Sequence, residues 1–208
     1  MSQYSNRNLL QNVPIEMYRK ILFRLDPESL NEECSTNKYA SQVCDKNFIR
    51  DYITYNFDPE KYNIDNWNED VFKNFNVSSW RDLFKRLLSK KIVDVYLVGL
   101  DNPITRLTIP SLTIPIYFSD TKYDIKNRFK DIENDINNRL KVTGNQLPYD
   151  IGDAIDLHLE LPDDVRYFEK QHYIDNLEDR SIGAYTIESI NKQKNYNFFD
   201  NLSEIWIF

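Results

Sequence analysis

The chain has 208 residues and a mass of 24.9 kDa, enough for one large domain or two small ones with a buried core. Hydrophobic residues are 41% and charged residues 28%, near the globular average, and four glycines leave little room for a flexible linker or low-complexity tail. A net charge of −7 and a pI near 5.0 repel a phosphate backbone, no apolar run approaches the roughly 18 residues of a membrane span, and MSQYSNRN lacks a signal peptide's apolar core. An intracellular, cytoplasmic protein with no nucleic-acid and no membrane partner is therefore expected.

Cys34 and Cys44 are too few for a disulfide framework or a zinc cage and read as core thiols. Lys85, Arg86, Lys90 and Lys91 read as a solvated helix face, not a phosphate track. The abundance of Asn, Lys, Ile, Tyr and Asp is the bias of an AT-rich coding sequence. The apolar pattern changes from helical spacing to alternation near residue 91, which marks the expected domain boundary.

Taken in chain order, Pro14 suits the first turn of a helix, where its missing amide donor costs nothing, with Asn12 before it as a cap. Met17, Ile21, Leu22 and Leu25 recur at helical spacing and form the expected apolar face. Asp26-Pro27 stops this helix, because the residue before a proline is pushed out of the helical region. Pro27 then opens a second helix carrying Leu30 and Cys34 on one side. Thr36 or Asn37 caps a third, with Tyr39, Ala40, Val43 and Cys44 as its stripe ahead of Phe48 and Ile49.

The run Leu9-Leu10-Gln11-Asn12-Val13-Pro14-Ile15-Glu16, followed by Ile21, Leu25-Asp26-Pro27, Leu30, Cys34, Val43-Cys44 and Phe48, resembles the F-box over residues 8–52. It departs from that family in having Val13 where leucine usually precedes the proline, and Phe48 near the place of a tryptophan. Cys34-Ser35-Thr36-Asn37-Lys38 is similar to F-box-like proteins of large DNA viruses with AT-rich genomes. The resemblance implies docking on a Skp-family linker protein, which joins an F-box subunit to a cullin ubiquitin ligase. Leu10, Val13, Pro14 and Ile15 stand at the leading edge of the implied partner-binding set, and Leu22, Leu25 and Leu30 complete it. A helical segment of this size is short of core and gains from a partner; the alternative is that these residues pack on the helices that follow.

Residues 53–90 read as a helical extension bracing that module, with Tyr55, Phe57, Tyr62, Trp67, Phe72 and Phe75 as core aromatics. Ser79 and Asp82 form a capping-box-like start to a helix with Trp80, Leu83, Phe84, Leu87 and Leu88 on one face. Beyond residue 91, Val93 to Leu100 alternates as a strand, Asp101-Asn102-Pro103 turns, and Ile104 to Phe118 returns as a strand that Pro110 and Pro115 confine to an edge or bulge. Ser119-Asp120-Thr121 caps a helix whose face is Ile125, Phe129, Ile132 and Ile136. After a loop with Gly144 and Pro148, Ile155 to Leu161 alternates as a half-buried strand, and Ser203 to Phe208 closes the sheet.

Hairpin, helix, strand, irregular segment and strand follow one another as in the β-grasp. Ser119-Asp120-Thr121 and Leu177-Glu178-Asp179 with the later Tyr185 resemble the helix start and the Leu-Glu-Asp turn of the ubiquitin family. The expected fold class is α+β: an N-terminal helical F-box-like module, then over residues 91–208 a small mixed β-sheet with a packed helix, β-grasp-like and enlarged by loops around 142–153 and 162–175. Another α+β sandwich is the alternative. Without a Gly-Gly tail after Phe208, this half reads as a binding surface and not as a conjugated modifier.

No catalytic, cofactor or metal site is expected. His158 lies in a strand and His172 in a loop, distant in sequence from the cysteines, and Asp163-Asp164 and Glu178-Asp179 read as solvated acidic pairs. The sequence has no phosphate-cradling Gly-rich loop, nucleophile elbow or metalloprotease helix. Three readings stand: a substrate-recognition subunit holding an unknown target, or a decoy of the host ligase; an interaction protein whose F-box-like fold has no link to ubiquitin; and an enzyme with its site in the C-terminal half around His158 or His172.

Overall fold

In the computed structural model, which describes residues 13–98, 106–142, 155–159, 171–173, 180–192 and 197–207, short polar side chains set where the N-terminal helices begin. The elements there are α1 (Ile15–Leu22), α2 (Pro27–Thr36), α3 (Lys38–Val43), α4 (Lys46–Asn56), α5 (Val71–Phe75) and α6 (Trp80–Leu87). The Asp26 carboxylate accepts the Ser29 amide at 3.0 Å at the start of α2. Asn37 Oδ1 accepts the amides of Tyr39 and Ala40 at 2.9 and 3.2 Å to open α3. Asp45 accepts those of Asn47 and Phe48, both at 2.9 Å, to open α4. Ser79 accepts the Asp82 amide at 3.1 Å while its hydroxyl donates to the Asp82 carboxylate at 2.6 Å. Each satisfies donors that a helix start leaves orphaned.

Pro14 departs from the first-turn expectation: it occupies the cap position itself, and its carbonyl accepts the Tyr18 amide at 3.0 Å. Asn12 lies outside the described residues. The expected third helix is two. Cys44 leaves helical geometry, Asp45 restarts it, and α4 runs to Asn56, past the module boundary expected at residue 52.

The chain divides into two units, Met1–Pro59 with Asp65–Leu88, and Glu60–Ile64 with Ser89–Phe208. The change of pattern at residue 91 lies close to the second division, whereas the assignment of Glu60–Ile64 to the later unit has no counterpart in the apolar spacing. The first unit's core is formed by Tyr18, Leu22, Leu30, Val43, Ile49, Tyr52, Ile53, Leu83 and Phe84, each at most 1% exposed. The Tyr52 and Phe84 rings meet edge to face at 5.5 Å, and Arg81 Nη2 donates to the Cys34 carbonyl at 2.9 Å, so α6 is held against α4 and α2. Cys34 and Cys44 are buried as expected but are joined in a disulfide, correcting their reading as free thiols. The turn at Asn37 reverses the chain and brings their Cα atoms to 6.0 Å, within bridging range.

Hydrogen bonds to Ser29 hold the Asp26 carboxyl below its ordinary value, the Phe48 amide does so for Asp45, and the Ser79 hydroxyl for Asp82. A carboxylate depressed in the folded state contributes stability that is present above its unfolded value near 4 and lost as pH falls through the folded value. Thermal melts of the first unit are therefore expected to fall progressively below about pH 4. Asp26→Asn, which keeps a capping oxygen but does not titrate, should flatten that fall without lowering the midpoint at neutral pH.

The second unit has β1 (Lys90–Val98), β2 (Arg106–Tyr117), α7 (Lys122–Val142), β3 (Ile155–Leu159), β4 (Gln171–Tyr173), α8 (Ile182–Lys192), α9 (Phe198–Asn201) and β5 (Leu202–Ile207). Its five-stranded sheet has the order β2-β1-β5-β3-β4. β1 and β2 form an antiparallel hairpin with an irregularity between Asp94 and Tyr96, β5 runs parallel to β1 and antiparallel to β3, and β3 pairs antiparallel with β4. Pro115 thus sits on an edge strand, where a missing donor is tolerated. The alternation in β1 buries Val93 and Val95 and leaves Ile92 and Asp94 outside. Ile114, Ile116, Phe118, Ile125, Phe129, Phe198, Leu202 and Ile205 complete the core.

Thr121 and Asp124 cap α7 reciprocally, the Thr121 amide reaching Asp124 Oδ2 at 2.8 Å and the Asp124 amide reaching Thr121 Oγ1 at 3.4 Å. Within this unit Tyr62 is buried with its ring stacked 6.3 Å from that of Phe118, and the Lys61 carbonyl accepts the amide and hydroxyl of Ser181 at 3.0 and 2.8 Å. Burial, and then the nearby Asp120 carboxylate, raise the Tyr62 hydroxyl above its ordinary range.

Candidate partner-docking surface

The eight residues of α1 present apolar side chains on more than one side. Tyr18 and Leu22 turn inward, whereas Ile15, Met17 and Ile21 are 43%, 58% and 42% exposed. This splits the single apolar face expected from Met17, Ile21, Leu22 and Leu25, with Leu22 inside and Met17 and Ile21 outside. The physical reason is Tyr18. Its hydroxyl donates to Glu33 Oε1 at 2.9 Å, Asn37 Nδ2 donates to the same oxygen at 2.7 Å, and its ring packs 5.0 Å from that of Tyr39. A tyrosine whose polar tip is satisfied is accepted in the core and rotates the helix about its axis. Burial and the Glu33 carboxylate push the Tyr18 hydroxyl up to about 12, so it remains a donor throughout the physiological range.

Of the residues the sequence assigned to a partner, Pro14 and Ile15 are exposed, Val13 and Leu25 half-buried, and Leu22 and Leu30 buried inside the unit. Leu22 and Leu30 are thus corrected from contact residues to the core that carries the surface. Leu10 lies outside the described residues. The segment leading into Pro14 is fixed by the Tyr39 hydroxyl, which donates to the Val13 carbonyl at 3.0 Å. Met17 and Ile21, one turn apart with Pro14 at the N-terminal end, make an exposed apolar strip that the sequence reading missed. The discoverable signal was the pair of apolar faces in one helix: Tyr18, Leu22 and Leu25 recur as regularly as Met17 and Ile21.

Basic side chains border this strip. Arg19 pairs with Asp45, the cap of α4, while Lys20 and Arg24 are exposed. No family model, curated protein or solved structure matches this chain.

The residues weighed as catalytic are not assembled into a described site. His158 is on β3, opposite Gln171, and His172 is on β4, opposite Leu157, in a strand and not the expected loop. Asp163-Asp164 and Glu178-Asp179 lie outside the described residues. Among the described residues no group of three or more His, Cys, Asp or Glu is placed to hold a metal ion, and no helix is long and apolar enough to cross a membrane.

Proposed function

We propose that the first unit is an F-box-like adaptor module that docks a Skp-family linker through Pro14, Met17 and Ile21, and that the second unit is a ubiquitin-like β-grasp that holds a target protein. The observation carrying this reading is the exposure of Ile15, Met17 and Ile21 on one short helix within the F-box-like run. Exposed apolar side chains clustered on a helix are what a helical partner covers. The β-grasp reading is supported by the sheet order β2-β1-β5-β3-β4, the parallel β1 and β5, and the helix α7 that follows the hairpin.

Coupling linker and target in one chain accelerates ubiquitin transfer by raising the target's local concentration at the cullin ligase, without any catalytic residue of the chain's own. The setting is the cytoplasm, the host's for a viral protein. The Cys34–Cys44 bond joins two buried residues, unlike the exposed disulfides that are most readily reduced.

Calorimetric titration of the full chain with a eukaryotic Skp-family linker is expected to give saturable binding. Truncating or charging a central anchor typically costs 2 kcal/mol or more, so Ile21→Asp should weaken binding at least about thirtyfold with an unchanged circular dichroism spectrum. Absence of binding by the folded wild type would favour an interaction protein with no ubiquitin link. Binding without stimulated ubiquitination of any captured protein would favour a decoy.

A further inference from the structure

We propose that the groove between α1 and α4 binds a short acidic peptide segment with an apolar anchor. The groove encloses about 750 Å³ and is walled by Arg19, Lys20 and Arg24 on the α1 side, with Phe23, Phe48 and Tyr55 supplying the apolar surface. It is an open groove whose volume falls in the range of small-ligand sites.

Charge selects the occupant. Three cations gather there in a chain of net charge −7. Arg19 is engaged by Asp45, and the one acidic lining residue, Asp51, is engaged by Arg50 at 2.8 Å. Lys20 and Arg24 have no acidic partner among the described residues, so their field points at whatever enters. A nucleic acid would meet the repulsion of the remaining chain, whereas a few carboxylates on a peptide match these two side chains locally.

The anchor position is set by Tyr55, which is 78% exposed although its ring stands 5.4 Å from that of Phe23. A second groove of about 740 Å³ shares Phe23, Asp51 and Tyr55 and adds Trp67 and Trp80 beside Arg50 and Glu69, so aromatic surface continues along α4 among polar side chains. An aromatic ring held at a groove edge beside cations is a hot-spot arrangement for an acidic peptide with an aliphatic or aromatic residue. By helical spacing Arg19 and Phe23 lie on a different side of α1 from Met17 and Ile21, whereas Lys20, three residues after Met17, borders that strip.

The test is fluorescence anisotropy of the full-length protein with a labelled peptide of about ten residues, a central Leu-Phe pair flanked by Asp and Glu. Saturable binding that weakens as salt rises is expected, with a loss of about tenfold or more in both Lys20→Glu/Arg24→Glu and Tyr55→Ala. Tyr55→Ala should leave linker binding unchanged. The proposal is overturned if the same peptide with Lys replacing every acid binds as well, if no saturation is reached by millimolar protein, or if either variant retains full affinity. Displacement of the peptide by a single-stranded oligonucleotide at equal concentration would also overturn it, assigning the groove to nucleic acid.

Discussion

Arg128→Met is expected to destabilise the C-terminal unit by about 3 kcal/mol, at the lower end of the range for stripping one partner from a buried ion pair. Asp120 is 4% exposed, at the junction between β2 and α7. Arg128 grips it in a fork, Nη1 to Oδ2 at 2.6 Å and Nη2 to Oδ1 at 2.9 Å, and Nη1 also donates to the Pro115 carbonyl at 2.8 Å. The guanidinium lies 5.1 Å from the centre of the Tyr117 ring, and the hydrogen-bonded Asp120 carboxylate raises the Arg128 pKa further. Methionine fills similar volume but leaves the carboxylate with only the Tyr117 amide, 2.7 Å away, and the backbone link from the Ile182 amide to the Asp120 carbonyl loses its support. Arg128→Lys, which keeps the charge and not the fork, should fall between the two. Urea denaturation followed by far-ultraviolet dichroism measures the difference. Equal midpoints for wild type and Arg128→Met would show that the pair contributes nothing.

Gly183→Ala is expected to cost about 2–3 kcal/mol, lowering the melting point by roughly 5–10 °C, through overpacking. A Cβ at this position would stand 2.4 Å from Phe118 Cε1 and 2.9 Å from the Phe118 carbonyl oxygen. The ring has no free rotamer to retreat to, since Tyr62 stacks on one side and Phe199 meets it edge-on at 5.4 Å. The backbone cannot yield without lengthening the 2.8 Å bond from the Gly183 amide to that carbonyl. Phe118→Leu in the Gly183→Ala background should recover part of the loss, a rescue that a general effect of alanine on helix propensity would not produce. Differential scanning calorimetry of the two variants checks both statements.

What could be read from the chain was governed by short-range chemistry. Asp26-Pro27, Asn37 and Ser79 with Asp82 announce helix starts because capping depends on residues two or three apart, and the hairpin and α7 follow from alternation and from Thr121 with Asp124. The expected mixed α and β content is present. Long-range partners decided what was misread. Nothing near Tyr18 in sequence says that Glu33 will satisfy its hydroxyl, so the spacing puts Met17, Ile21 and Leu22 on one face and does not show that Leu22 and Leu30 are core while Met17 and Ile21 are exposed. Apolar spacing does not show that Cys44 leaves helical geometry and that Asp45 caps a separate α4 carrying Phe48 and Ile49. The Cys34–Cys44 bond depends on the reversal at Asn37, and the place of Tyr62 beside Phe118 depends on residues far apart in the chain. The α1–α4 groove is equally tertiary: its basic wall and its aromatic edge come from segments about thirty residues apart.

The central claim is that a Skp-family linker covers α1, and hydrogen exchange of the full-length protein with and without saturating linker tests it most directly. Added linker is expected to slow exchange in peptides spanning residues 14–24 and to leave β1, β2 and α7 unchanged. Unaltered exchange in α1 under saturating linker, or protection confined to residues 91–208, would contradict it.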